Sequence, residues 1–417
     1  MHAQLAAPKF PEIPASAGMT VLLESWSGLA RAHHIADGRA MAPVRILHCH
    51  STFSLGGKEA RAVRLMNAWG DAAQHVVLSA MPGSLSARNA IGRSIDVSCP
   101  EDAPALAGPP HPLRLHRLAR YMRGFDLVLS YNWGAFDAVM ARRLFGGPPL
   151  VHHEDGFNED EAERLNAKRN LYRRVGLGAV HRLVVPSERL EKIALRDWKQ
   201  KPERVERIPN GIQAARYRGA EKPELPGLLR VEGEILIGTA AGLRAVKNLP
   251  RLVRAFAAMG EKNARLVIVG EGPESERIAA EARRLGVGDR LVMPGFLADP
   301  ARWIGAFDIF ALSSDSEQFP ISLIEAMAAG LPVVATDVGD VAAMLPADNR
   351  PLVVSREDEA AFAAALDSLA ARPDLRRAIG RANREKAAAQ YDEGRMIAAY
   401  ARLYNEAIGH PDALLPT

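Results

Sequence analysis

The stretch Phe307–Thr336, "FDIFALSSDSEQFPISLIEAMAAGLPVVAT", carries two short apolar runs with a helical segment between them. "FDIFALSS" reads as a core strand, and Ser313 to Phe319 as the loop at its carboxyl end. Pro320 suits the first turn of a helix, where a missing N–H costs little. The helix then runs through Glu325 towards Ala329. Gly330 can take the left-handed stop conformation, and "LPVVAT" returns as a second strand. Strands joined through a helix run parallel, and parallel sheets are covered on both faces. This unit therefore predicts an α/β fold.

The same pattern extends in both directions. "EILIGTAAGL", "ARLVIVGEGPE", "RLVMPGF" and "PLVVS" are further apolar runs of this series, with helices between them. Ahead of them lies a first series: "VRILHCH" (Val44–His50), "AQHVVLSA", "FDLVLSYNW", "PPLVHHED" and "VHRLVVPS". A Gly-Gly turn in "FSLGGKEARAVRLMNAWG" leads from the first strand into a helix, and another helix starts at Glu188. A charged passage with Pro and Gly, Gln213 to Gly233, separates the two series. The chain reads as two Rossmann-like, doubly wound domains facing a central crevice at the carboxyl ends of their strands.

Length agrees. A chain of 417 residues with 48% hydrophobic content exceeds what one core usually supports. The expected division is 1–43 as an extension, 44–212 as the first domain, 213–385 as the second, and 386–417 as a terminal helix. Residues 1–43 carry scattered Pro, Ala, Gly and His without a period. They read as disordered or as an over-called translation start, since Met41 directly precedes the first strand, and they are expected to be dispensable. A formal charge of +4 is small for this length and does not suggest a nucleic-acid binder. Two cysteines, Cys49 and Cys99, cannot build a disulfide framework, so a reducing cytoplasm is expected. No apolar run reaches the roughly 18–20 residues of a membrane-spanning helix.

Glu317 stands in the loop before the helix of the opening stretch, and Glu325 lies more than one turn inside it. A helix N-terminus facing the crevice offers free N–H groups and partial positive charge, which suits a phosphate. One carboxylate near ribose hydroxyls and one near sugar hydroxyls would bracket a nucleotide sugar. Acidic residues also favour helix starts for their own sake, so the spacing alone decides little. The apolar neighbours of Glu325 argue against an ordinary solvated glutamate.

At these residues the sequence resembles the retaining GT-B glycosyltransferases of family 4. Glu317, Phe319, Pro320, Glu325-Ala326-Met327-Ala328, Gly330 and Pro332 to Thr336 match the family's second-domain pattern. "VVPSERLEK", "IPNGI" (Ile208–Ile212), "VIVGEGPE" and "AYARLY" sit where the family has counterparts, so the resemblance runs from about Val44 to Ile408. It implies a first domain for the acceptor, a second for the nucleotide-sugar donor, and a C-terminal helix crossing back to the first.

The resemblance also implies roles. Glu325 would bind the donor ribose, and Glu317 the transferred sugar. Backbone N–H groups of Ile321, Ser322 and Leu323, behind Phe319 and Pro320, would hold the diphosphate. Gly57 would approach the phosphate by its backbone, where a side chain would block it. Lys247 would neutralise the leaving group. A histidine at the end of a first-domain strand would sit near the transferred sugar; His153 is the first choice and His152 the alternative. Four positions depart from the pattern. Gly242 stands where many relatives have Arg, and Arg244 would stand in for it. Gln318 and Asp340 replace common glycines, and Ala343 replaces a frequent acidic residue.

The implied reaction is hexosyl transfer, with retention, from a nucleoside-diphosphate sugar to a saccharide or lipid-linked acceptor in surface-polysaccharide or lipopolysaccharide assembly. Catalysis would rest on positioning and leaving-group charge. Lys247, Arg244 and a helix dipole would supply the positive field, so no metal or other cofactor is expected. "HCH" (His48, Cys49, His50) and His152–His153 read as strand residues rather than metal ligands. Two alternatives belong to other classes: a nucleotide-sugar epimerase of the same architecture, and a non-catalytic sugar-nucleotide-binding protein. The basic passages His111–Arg123 and Ala167–Arg182 fit either an ordinary solvated helix face or docking on anionic lipid at the inner face of the membrane. Arg173 and Arg174 are the residues whose charge such docking would use.

Overall fold

The computed structural model describes residues 42–109, 111–157, 166–217 and 224–416. The expected extension, up to residue 41, lies outside these described residues, as does 218–223 of the charged passage.

The first series of strands is β1 (Val44–His50), β2 (Ala73–Ser79), β3 (Val97–Ser98), β4 (Leu127–Tyr131), β5 (Leu150–His153), β6 (Arg182–Val185) and β7 (Val205–Arg207). They form one parallel sheet in the order β3-β2-β1-β4-β5-β6-β7. The second series is β8 (Ile235–Ala240), β9 (Ala264–Val269), β10 (Leu291–Gly295), β11 (Ile309–Leu312), β12 (Val333–Thr336) and β13 (Val353–Val354). It is parallel too, in the order β10-β9-β8-β11-β12-β13. Each sheet starts in its middle, grows to one side, and reverses between its first and fourth strands. Ligands of such sheets bind beyond the carboxyl ends of the strands at that reversal.

Helices α1 (Gly57–Trp69), α2 (Pro112–Met122), α3 (Phe136–Phe145), α4 (Ala167–Leu177) and α5 (Glu188–Arg196) belong to the first domain. Helices α6 (Leu249–Ala258), α7 (Ser275–Arg284), α8 (Ile321–Ala328), α9 (Val341–Met344), α10 (Glu359–Ala370) and α11 (Pro373–Gln390) belong to the second. The strands β11 and β12 are buried at every residue, as near-continuous apolar runs between two helical layers must be. Between them Pro320 takes the N-cap position of α8 rather than its first turn, because its backbone is extended. Gly330 follows the helix at φ +77°.

Helix α12 (Glu393–Ile408) crosses back as expected. Its Met396, Tyr400, Leu403 and Tyr404 share a buried cluster with Val44, Ile46, Leu129, Tyr131 and Val151 of the first sheet. The two chain crossings between domains pair with each other. Ile212 N donates to Tyr391 O, and Glu393 N donates to Ile212 O, both at 2.9 Å.

A file of buried rings runs through the first domain. His75 Nδ1 lies 3.0 Å from His48 Nε2, and His48 Nδ1 lies 3.3 Å from the Tyr131 hydroxyl. Tyr131 stacks on His50 and His153, with ring centres 4.0 and 4.6 Å apart. Burial is the main cause that keeps these imidazoles neutral. It lowers His75 to about 4. It lowers His153 to about 3, with Arg61 adding to the effect. His48 is lowered by burial and then by the neighbouring imidazoles, His75 first, and His50 by burial and then by Lys58.

This fixes a sign for acid stability. An unfolded histidine binds its proton near pH 6.5, whereas folded His75 refuses it until about pH 4. The stability from each such group is complete above 6.5 and is lost as pH falls towards the folded value. Between those limits one group contributes a slope of about 1.4 kcal/mol per pH unit. Denaturant unfolding from pH 7.5 to 4.5 should therefore show a shallower slope for His75→Gln than for the parent. Equal slopes would refute the assignment.

Candidate functional site

The loops that follow β8 and β11, the two strands flanking the reversal of the second sheet, meet through their charges. Lys247 Nζ donates to Glu317 Oε1 at 2.5 Å, and Ser314 Oγ donates to the same oxygen at 2.7 Å. The side chains are 16% and 9% exposed, so the pair sits at the floor of a cleft rather than on the surface. Arg244 precedes Lys247 in the same loop and is exposed. Its Nε lies 3.8 Å from the place a Cβ on Gly242 would occupy. The Arg244 side chain thus folds back over Gly242.

Two helix starts face each other beside this pair. Helix α8 begins after Pro320 and α1 after Gly56, and neither cap residue gives a side-chain bond to the first amides. A Cβ on Gly57 would stand 3.4 Å from Ile321 Cδ1, so the two starts are in contact distance across the domains. The opening amides of α8, from Ile321 to Leu323, and those of α1 carry the positive ends of both helices. At the start of α1 Lys58 donates to Thr52 O at 3.3 Å and pairs with the buried Glu59, whose carboxylate offsets its charge. The two helix starts are an arrangement for an anion.

Further along α8, Glu325 Oε1 accepts from the Tyr217 hydroxyl at 3.1 Å. Burial raises the Glu325 carboxyl above its ordinary range, against the Tyr217 bond and Arg64, which pull it down. Phe319 packs edge-on against Tyr391, with ring centres 5.6 Å apart, which anchors the loop between Glu317 and α8.

On the first-domain side, the two histidines at the end of β5 do not reach the cleft. His153 is buried; its Nε2 is 2.8 Å from the Tyr404 hydroxyl and its Nδ1 3.2 Å from Ser130 O. His152 is buried on the other side, 2.8 Å from Ser130 Oγ. The cleft is reached two residues later. Asp155 forms a two-pronged ion pair with Arg61, with Nη2 to Oδ2 at 2.8 Å, and Arg61 also donates to Asn210 Oδ1 at 3.1 Å. Burial works to raise Asp155, but Arg61 outweighs it and holds the carboxyl below its ordinary value. A Cβ on Gly156 would stand 3.0 Å from Gln318 Cγ, so this loop abuts the Glu317 loop.

Comparison with known proteins gives the family. The model of Glycosyltransferase Family 4 matches residues 55–216, and that of Glycosyl transferases group 1 matches residues 222–386. Together they take in more than three quarters of the chain. The chain belongs to glycosyltransferase family 4. Among curated relatives, this glycosyltransferase is 31% identical over 289 residues to D-inositol 3-phosphate glycosyltransferase of Segniliparus rotundus, covering 62% of this chain and 61% of the relative. It is 28% identical over 178 residues to N-acetyl-alpha-D-glucosaminyl L-malate synthase of Bacillus anthracis, covering 42% and 47%. The matches thus span about half to three fifths of these relatives' length. A solved Anabaena protein, HepE, in complex with UDP, is similar in fold. Its TM-score is 0.70 at 19% identity, covering 87% of this chain and 100% of that one. The likeness in fold is that of GT-B glycosyltransferases.

Several residues of the glycosyltransferase cleft were not singled out by the sequence: Lys58, Arg61, Asp155, Tyr217 and Ser314. Their partners lie on separate elements, and only the fold brings them together. Arg173 is the opposite case. The sequence places it on a solvated or lipid-facing surface, but it is buried between Trp133, Phe157 and Trp198, with guanidinium-to-ring distances of 5.0, 5.5 and 5.0 Å. Its Nε lies 3.3 Å from Glu154. Among the described residues no group of three or more His, Cys, Asp or Glu is arranged to hold a metal. No helix among them is long and apolar enough to cross a membrane.

Proposed function

We propose that this glycosyltransferase moves a hexosyl group from a nucleoside-diphosphate sugar to a saccharide or lipid-linked acceptor, with retention at the anomeric carbon. The observation that carries this is the meeting of the Lys247–Glu317 pair with two helix starts, at Gly57 and Ile321, whose N-cap residues give no side-chain bond. The donor diphosphate takes the amides of both helices, with Lys247 and Arg244 as its cations. Glu325 uses the oxygen that Tyr217 leaves open for the ribose hydroxyls. Glu317 takes hydroxyls of the transferred sugar, and Phe319 and Pro320 shape the entry to α8. The bond from the anomeric carbon to the phosphate oxygen breaks as the acceptor oxygen bonds to the same face. The acceptor proton leaves with the departing phosphate. Charge on that phosphate is met by fixed cations and dipoles, so the reading invokes no metal. His153 has no part in it, because both of its nitrogens are engaged inside the fold.

The acceptor side is read from the first domain. A cavity of about 390 Å³ lies beyond the carboxyl end of β4, between Trp133, Phe136 and Tyr172, with Asp137 and Lys168 at its edge. Aromatic walls with a few charged groups suit a sugar-bearing ligand. The neighbouring helices α2 and α4 hold no acidic residue. They expose Leu113, Leu171 and Val175 beside Arg117, Arg120, Lys168 and Arg174. This face supports docking on an anionic membrane from the cytoplasmic side, as in assembly of a surface polysaccharide or lipopolysaccharide.

A panel of nucleotide sugars, led by UDP-glucose because a solved relative binds UDP, tests the donor reading through released nucleoside diphosphate. Epimerised sugar without transfer, or no turnover of any donor, would overturn it. The membrane reading has its own outcome. Reversing Arg117 and Arg174 to Glu should weaken binding to anionic vesicles by about thirty-fold or more, at about 1 kcal/mol for each lost cation. Binding should also fall with salt. Equal affinity for neutral and anionic vesicles would count against it. Arg173 is no target for this test, since it is buried.

A further inference from the structure

The two domains are tied by a carboxylate that neither sheet requires. Asp340 precedes α9 in the second domain and is 6% exposed. Its Oδ2 accepts from Glu188 N at 2.5 Å and its Oδ1 from Arg189 N at 3.0 Å. These are the first two amides of α5, a helix of the first domain. The helix's own cap, Ser187, reaches only the third amide, Leu190 N, at 3.1 Å. An anion at a helix start is favoured by the helix dipole, and the bonds are charge-assisted. Arg207 pairs with Glu188 and Glu191 at 3.3 and 3.1 Å, which offsets their charge beside Asp340.

The other side of Asp340 leads to the cleft. Gly339 has φ +59°, and a Cβ there would stand 2.2 Å from the Glu317 carbonyl oxygen. Asp340 N faces Gln318 O at 3.4 Å. The Gly339–Asp340 turn therefore lies flat against the backbone of the loop that carries Glu317, while its carboxylate grips the opposite domain.

We propose that Asp340 is a positioning residue: by clasping the start of α5 it holds the cleft closed and seats the Glu317 loop against the first domain. The proposal rests on reading this cleft as the donor site. Two lobes joined at a paired crossing can hinge, and a closed form held by differential contacts binds ligand more tightly than the open form.

The test uses the full chain. Small-angle scattering of the unliganded protein gives the radius of gyration, and calorimetry with UDP as probe gives affinity. Asp340→Ala should enlarge the radius and weaken UDP by about ten-fold, the size of one charge-assisted hydrogen bond. Asp340→Asn, which keeps one acceptor oxygen, should fall between it and the parent. Ser187→Ala removes a cap inside the first domain; it should lower the melting temperature yet leave radius and UDP affinity alone. Unchanged radius and affinity in Asp340→Ala would overturn the clasp, and so would the same changes appearing in Ser187→Ala. If the parent protein neither binds UDP nor turns over any donor of the panel, the donor reading fails, and the radius comparison still decides the clasp.

Discussion

Lys247→Ala is expected to slow transfer by about ten- to hundred-fold while the fold persists, since a charge-assisted hydrogen bond is worth about 1.5–3 kcal/mol. The loss should fall on kcat if the bond to the departing phosphate strengthens in the transition state. The structure adds a second effect. Lys247 is the cation bonded to Glu317, and Ser314 is a neutral donor to the same oxygen. Without the ammonium, a carboxylate only 9% exposed would stand unneutralised beside the helix starts proposed to take the donor diphosphate. Donor affinity should therefore fall as well as turnover. Glu317→Gln in the Lys247→Ala background should restore part of the affinity by removing the repulsion, but not the turnover. Arg244→Ala should give a smaller loss, because that side chain is exposed and lies back over Gly242. Steady-state kinetics with the donor found in the panel, beside UDP calorimetry, separates these terms. Full activity in Lys247→Ala would remove the basis of the donor-site assignment.

What could be read in advance follows from what is local. Core strands of a parallel sheet are largely apolar, so β1, β2, β4, β5, β6, β8, β9, β11 and β12 stood out as runs, and Glu188 and Gly330 marked a helix start and a helix end. The edge strands β10 and β13 showed within the apolar runs "RLVMPGF" and "PLVVS", whereas β3 and β7, with Ser98, Glu206 and Arg207 among their two or three residues, left no apolar run to detect. In the second domain the family resemblance pointed to Lys247 and Glu317, and the fold brings the two into one ion pair. The first-domain half of the site was not legible. Alternation along β5 turns His152 towards Phe136 and His153 towards Tyr404, and burial claims both. The residue that emerges at the cleft is the one beyond the strand's end, Asp155. Reading two residues past each apolar run, rather than its last polar residue, would have found it. The basic run in α4 misled in a related way: one helix face carries Arg174 to solvent while the other turns Arg173 into an aromatic box. Asp340, by contrast, showed only as a departure from a pattern, and its partners lie about 150 residues away.

Removing Arg61 should cost about 3–5 kcal/mol of stability, the range for breaking a buried ion pair at one side. The Arg61 side chain is 2% exposed and its partner Asp155 is 14% exposed. Burial opposes the Arg61 charge, but Asp155 more than compensates and raises the guanidinium further. Arg61 also lies over the Tyr400 ring at 5.7 Å, and so links α1 of the cleft to the helix that crosses back. Arg61→Leu deletes all of this and strands the Asp155 carboxylate, whose desolvation is then uncompensated. Arg61→Lys should recover little, since an ammonium cannot reproduce the two-pronged contact and the bond to Asn210 together. The informative variant is the double one. Replacing Arg61 and Asp155 together by Leu removes both buried charges, and stability should return towards that of the parent. Donor turnover should stay low in the double variant if the pair is what shapes the Asp155–Gly156 loop against Gln318. Denaturant unfolding and kinetics on the same three variants decide the matter. A double variant no more stable than Arg61→Leu would mean that packing around α1, not the stranded charge, accounts for the loss.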